Sequence, residues 1–190
     1  MATAQKLSTI INGVNVDNLF ATVDAVKTAP AAANFKFSIE NQWEVGSHNY
    51  SIVDEFYGAG RQHSRSQPFV LRSDEPAVLL GDDSAANPVE YLLHALAACI
   101  TTSMVYHASA RGIRIHAVEC SLEGDIDLQG FLALDPKVRN GYQGIRVSFR
   151  LQADAPDDQL QDIVALGTSR SPVFDSITHG VPVTVTAERL

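Results

Sequence analysis

Cys99 and Cys120 are the only thiols in a chain of 190 residues. Two cysteines cannot build a disulfide framework, and no CxxC pair is present to hold zinc or to run thioredoxin-type exchange. A single thiol does chemistry as the thiolate, a nucleophile toward electrophilic oxygen, sulfur or carbon. Cys99 ends the run Leu92-Leu93-His94-Ala95-Leu96-Ala97-Ala98-Cys99, whose apolar surroundings push a thiol pKa up. A reactive Cys99 therefore needs a cation brought by another element. At an effective dielectric of about 20, a guanidinium ~4 Å away contributes roughly 4 kcal/mol, on the order of three pKa units. The competing reading is packing, because free cysteines are among the most buried residue types. Cys120 has the parity of a buried strand face, where packing is expected rather than a resolving role. Ser103 and His107 stand at i, i+4 on one helix face. An esterase would need a third orienting group and an oxyanion hole, and without a local signal for either the pair reads as an ordinary helix contact. The six histidines are scattered, and GxxxxGK[ST], GxGxxG, HExxH and GxSxG are all absent. No cofactor and no metal site is expected.

The element that must position Cys99 is the clearest in the chain. Asn87 is a good N-cap, Pro88 fits the first helical position, and Glu90 sits where its carboxylate reaches back to the cap amide. Gly112 after Arg111 is a stop signal. The spacing predicts a helix over 87–111, roughly 36 Å long at 1.5 Å per residue. Its first half is apolar nearly all round, so it is expected to be covered on several sides. Before it, Phe35, Phe37 and Ile39 alternate with polar residues, and Trp43 and Val45 keep their parity. A return strand is expected at Tyr50, Ile52 and Phe56, a break at Gly58-Ala59-Gly60, a short strand over 68–72 and a loop over 74–86. After the helix, Val118, Cys120 and Leu122 alternate with Glu119, Ser121 and Glu123. Ile145, Val147 and Phe149 likewise alternate with Arg146, Ser148 and Arg150, so one sheet face is apolar and one wet. Asp154 is expected to cap a helix from about Pro156, and Ser171-Pro172 to open a short helix to Thr178. A closing strand is expected over 181–186. Residues 1–33 read as a helical extension, periodic over 14–27, followed by an Ala-rich linker, and residues 34–190 as the main domain. The order βββ–α–ββ–αα–β is an α+β fold.

Composition narrows the function classes. Apolar residues make up 45% and charged residues 19%, enough for a core and too few charges for disorder. Fourteen Lys+Arg against twenty-two Asp+Glu give a net charge of −8 without a basic run, a poor match to nucleic acid or anionic membrane. No basic-then-apolar leader opens the chain, and no apolar run reaches the ~20 residues of a membrane crossing. A soluble, cytoplasmic protein is expected.

Asn87-Pro88-Val89-Glu90-Tyr91-Leu92-Leu93-His94-Ala95-Leu96-Ala97-Ala98-Cys99 resembles the NPxExLxxALxxC stretch of the OsmC/Ohr family, the osmotically inducible and organic hydroperoxide resistance proteins. The resemblance continues through Arg111-Gly112-Ile113 and the acidic strand 119–127 to Arg170-Ser171-Pro172-Val173-Phe174-Asp175. It implies an intertwined homodimer with two long central helices packed between curved antiparallel sheets, and a site at each subunit boundary. It implies a thiol peroxidase of organic hydroperoxides in which Cys99 is oxidised to a sulfenic acid. An arginine after Gly-Gly on an early strand holds that thiolate in the family. Gly58-Ala59-Gly60-Arg61 is the matching stretch, with Arg65 as the rival. The family's glutamate after the Pro, which orders the arginine, is here Val89. Glu90 stands one step on, as a capping residue or as that glutamate's substitute. Ser171 occupies the place of the family's second cysteine and cannot close a disulfide, so an external thiol reductant is implied. The alternative is a non-catalytic module of the same fold, holding a small hydrophobic ligand in the dimer cleft.

Overall fold

The computed structural model describes residues 9–189. The chain forms two compact units. One takes Thr9 and Asn15–Leu92, the other Ile10–Val14 and residues 93–189.

The first unit opens with α1 (Val16–Thr28), capped by the Asn15 side chain, which accepts from the Asn18 amide at 2.9 Å. A 3-10 turn at Pro30–Ala33 follows. The sheet comprises β3 (Lys36–Phe37), β4 (Glu40–Val45), β5 (His48–Gly58) and β6 (Arg61–Ser73). β3 and β4 pair antiparallel with β5 at different points along it, and β6 also pairs with β5. The expected break at Gly58-Ala59-Gly60 is a tight hairpin: Gly58 pairs with Arg61, and Ala59 (φ 48°) and Gly60 (φ 78°) fill the two turn positions. Two positive φ values make the turn whose twist matches the strands it joins. β6 runs longer than the expected 68–72 because its polar first half still pairs with β5.

The helix expected over 87–111 is α2 (Pro88–Ala110). Glu90 Oε2 accepts from the Asn87 amide and Asn87 Oδ1 from the Glu90 amide, both at 2.9 Å, which satisfies two otherwise orphaned donors. At the far end Ile113 N donates to Ala108 O and Gly112 N to Ser109 O, with Gly112 at φ 75°. That is a Schellman close, and it needs glycine at the left-handed position.

In the second unit β7 (Ile115–Asp125) and β8 (Gly144–Ala153) form a two-stranded ladder. Val118, Cys120 and Leu122 oppose Leu151, Phe149 and Val147, while Glu119 and Glu123 oppose Arg150 and Arg146, as the parity requires. The connection carries a short helix α3 (Leu128–Phe131), capped by Asp127. α4 (Asp157–Ser169) and α5 (Pro172–His179) follow. Ser171 caps α5 as expected, but Asp154 caps nothing: its carboxylate bonds His116 at 2.7 Å. The core is Leu96, Ile100, Met104, Ala108, Ile113 and Ile163, with the apolar face of β7 and β8 packed on it. Four of these recur every fourth residue along α2, so a single stripe of the helix is buried and Leu92 and Tyr106 stay exposed. By length and composition alone α2 meets the requirement of a membrane-crossing helix, contrary to the sequence reading; its buried stripe belongs to a protein core.

The closing strand expected over 181–186 does not form a ladder among the described residues. A strand exists through its partner, and alternating valines alone do not supply one. Val181, Val183 and Val185 are all exposed.

Candidate functional site

Cys99 lies in the middle of α2, one residue before the buried Ile100. A step of about 100° places it beside the core stripe rather than within it, and the side chain is half-buried. Cys120 is also a free thiol. It sits on the apolar face of β7 opposite Phe149, and burial raises its pKa, as fits a packing residue. Ser103 and His107 make no hydrogen bond to each other. His107 titrates below the usual histidine range, first because burial disfavours its charge and then because Arg111 and Arg170 are near.

Arg61 begins β6 directly after the hairpin turn, in the first unit. Among the described residues its exposed guanidinium has no hydrogen-bond or ion-pair partner. Arg65 is held in place. Its Nη1 donates to the Asp54 carbonyl at 2.5 Å, and its guanidinium lies 5.3 Å from the Phe56 ring centre and 5.4 Å from that of Phe69. This sits where the β5–β6 register jumps from Val53–Phe69 to Glu55–Ser64. Glu90 is occupied in the capping box, and Ser171 is buried, accepting from the Phe174 amide at 3.2 Å. The serine that stands for a second cysteine thus has a structural hydrogen bond of its own.

One polar cluster was missed in the sequence. The segment read as a plain loop over 74–86 is tied around the carboxylate of Asp74, which is 1% exposed. Asp74 accepts from Ser47 Oγ at 2.6 Å, from the amides of Glu75, Asp82 and Ser84, and from Ser84 Oγ at 2.9 Å. These donors hold its pKa well below the usual carboxylate range, the Ser47 hydroxyl first. His48 Nε2 stands 2.9 Å from Asp82 Oδ2 and 3.5 Å from Asp74 Oδ1. At Gly81 a Cβ would fall 1.8 Å from the Glu75 carbonyl oxygen, so only glycine fits. The knot ends just before the Asn87 cap. Its signal was the run Gly81-Asp82-Asp83-Ser84, short side chains that tie turns through their own backbone.

The comparisons agree with this architecture. The model of the OsmC-like protein family matches residues 81–186, more than half of the chain, and the chain belongs to that family. Among solved structures, an OsmC-like protein of Mycoplasma pneumoniae superposes with a TM-score of 0.56 at 15% identity, covering 75% of this chain and 86% of its own. An OsmC-like protein of unknown function from Vibrio cholerae gives 0.56 at 12% identity, covering 75% and 94%. A hypothetical protein of Aquifex aeolicus gives 0.52 at 13% identity, covering 76% and 88%. Likeness at this level establishes the fold. No curated protein sequence matches the chain.

Proposed function

We propose that this chain is a peroxidase that reduces organic hydroperoxides through Cys99, in a one-cysteine cycle recycled by an external thiol. The observation that carries the reading is Cys99 itself: a half-buried free thiol on the capped helix α2, inside the segment matched by the family. In the reaction the Cys99 thiolate attacks the terminal oxygen of the peroxide. An S–O bond forms, the O–O bond breaks, and its electron pair leaves with the alkoxide, which takes up a proton to become an alcohol. Cys99 is then a sulfenic acid. A reductant thiol attacks that sulfur and releases water, and a second thiol frees Cys99 and leaves as a disulfide.

Arg61 is the cation we assign to the thiolate. Among the described residues it has no hydrogen-bond or ion-pair partner, whereas the Arg65 guanidinium already serves a carbonyl and two rings. Glu90 acts on the site by fixing the first turn of α2. The site is completed in a homodimer, in the cytoplasm. The support for the dimer is the apolar surface one chain leaves bare, including Leu92 and Tyr106 on α2 and Val181, Val183 and Val185 near the C-terminus. Obligate homodimers bury well over 2,000 Å² of such surface.

The test is chemical. Iodoacetamide should alkylate Cys99 at pH 6, and cumene hydroperoxide should give a sulfenate trapped by dimedone, both lost in Cys99→Ser. Arg61→Ala should slow alkylation on the order of tenfold or more, while Arg65→Ala leaves it nearly unchanged. Unchanged intact mass after both reagents would remove the peroxidase and leave the ligand-binding module, which the hydrogen-bonded Ser171 also permits.

A further inference from the structure

Residues 10–14 lie outside the segment matched by the family, yet they belong to the second unit, where hydrogen bonds of a side chain hold them. β1 (Ile10–Ile11) and β2 (Val14–Asn15) form a small hairpin. Its two turn residues, Asn12 and Gly13, have φ values of 52° and 76°. Asn-Gly is the preferred pair for such a turn, because both positions need the left-handed region.

The turn aims the Asn12 carboxamide at the Schellman close of α2. Asn12 Nδ2 donates to Ser109 Oγ at 3.0 Å and to the Ile113 carbonyl at 2.9 Å. Asn12 Oδ1 accepts from the Ile115 amide at 2.8 Å. Ser109 is 0% exposed, and its hydroxyl proton lies within reach of the Val105 carbonyl at 2.7 Å and the Ile11 carbonyl at 3.1 Å. The three atoms that meet the carboxamide come from the last turn of α2, the residue after its stop, and the first residue of β7. If the hairpin left, the carbonyl and the amide would lose these partners, and the buried hydroxyl would keep only its bond to the Val105 carbonyl.

We propose that the Asn12-Gly13 hairpin is an intramolecular clip. In it the Asn12 carboxamide is the ligand of a polar recess made by Ser109, Ile113 and Ile115, and it is the main fastening of residues 10–14, beside the Ile11 carbonyl on the Ser109 hydroxyl. The chemistry is selective: the recess offers two acceptors and one donor in fixed positions, which a planar amide matches and a carboxylate or aliphatic group does not. Immediately around the clip, Val16 N donates to the Thr9 carbonyl at 2.9 Å and the Thr9 amide to Asp17 Oδ2 at 2.9 Å. The hairpin is thus closed at its base before α1 begins.

The test is hydrogen exchange on the full chain. Asn12→Gly keeps the left-handed turn and removes all three side-chain bonds. The clip predicts at least a tenfold rise in exchange at the Ile115 amide and in proteolytic cleavage over 9–16, with the β7–β8 ladder beyond Val118 unchanged. Asn12→Asp keeps the acceptor for Ile115 and loses both donors, so the Ile115 amide stays partly protected while cleavage over 9–16 still rises. Wild-type protection in both variants would overturn the clip. So would equal loss of protection along the whole ladder, which would make Asn12 a general packing residue.

Discussion

In the second unit the groups withdrawn from water are chiefly the apolar residues Leu96, Ile100, Met104, Ile113 and Ile163, together with the hydrogen-bonded Ser109 and Ser171. In the first, no apolar side chain among the described residues reaches the same burial, and the fully buried one is the carboxylate of Asp74. Its large apolar residues lie largely bare: Phe37 is 70% exposed, Trp43 71% and Phe69 60%. The second unit is held by a hydrophobic core at about 25 cal/mol per Å². The first is held by strand ladders and a polar knot, with much of its apolar area unspent. Strand pairing and one ionic cluster specify shape but supply little net stability, since each hydrogen bond replaces one with water. The difference teaches where the proposed second copy would add most burial: on the bare sheet of the first unit, in addition to the exposed Tyr106, Val181, Val183 and Val185 of the second.

That contrast can be broken at four points. Ile100→Ala, in the second unit, should cost about 3–4 kcal/mol and lower the thermal midpoint on the order of 10 °C; a change of a degree or two would mean that the core is not where the stability lies. Trp43→Ala, in the first unit, should act on association instead. If a second copy covers that face, sedimentation should show a dissociation constant raised on the order of 30-fold, as for a central aromatic anchor. Loss of folding without loss of association would reverse the assignment.

Asp74→Asn should open the knot locally. Exchange at the Asp82 and Ser84 amides should rise on the order of tenfold, with the Ile100 region unaffected. The pH dependence has a definite sign. A carboxylate held below its ordinary value contributes its full stabilisation above about pH 4 and loses it as pH falls through and below that range. Urea midpoints for wild type should therefore drop toward pH 3 more than those of Asp74→Asn; parallel curves would place the acid sensitivity elsewhere. The smallest effect is expected at Ala59, a non-glycine residue at φ 48°. Ala59→Gly should stabilise by about 0.5–1 kcal/mol in thermal denaturation, because the left-handed region penalises a Cβ. A destabilisation would show that the alanine methyl has a packing partner.

Much of this architecture was legible in the residues. The cap Asn87, the reciprocal Glu90, the stop at Gly112 and the alternation along β7 and β8 are local rules, each satisfied within a few residues or one strand register. The Asn12-Gly13 turn is equally legible as a dipeptide, although the periodicity around it predicts only helix and linker. Its partner, Ser109, was not legible, because nothing in the sequence brings position 12 to position 109. The Asp74 knot escaped for the same reason: Ser47 and Ser84 are ordinary turn residues until the β5–β6 pairing carries them to one carboxylate. The expected closing strand failed in the opposite direction, since its alternating valines promised a ladder that needs a partner strand.

By itself the sequence determined the long capped helix, the thiol at its middle and the antiparallel strand pair, because periodicity and capping act between near neighbours. The tertiary structure alone decided which stripe of α2 is buried, which arginine is already engaged and what a buried aspartate and an N-terminal asparagine hold. Those are contacts between residues tens of positions apart, and their energies exist only once folding has brought donors and acceptors out of water and into reach.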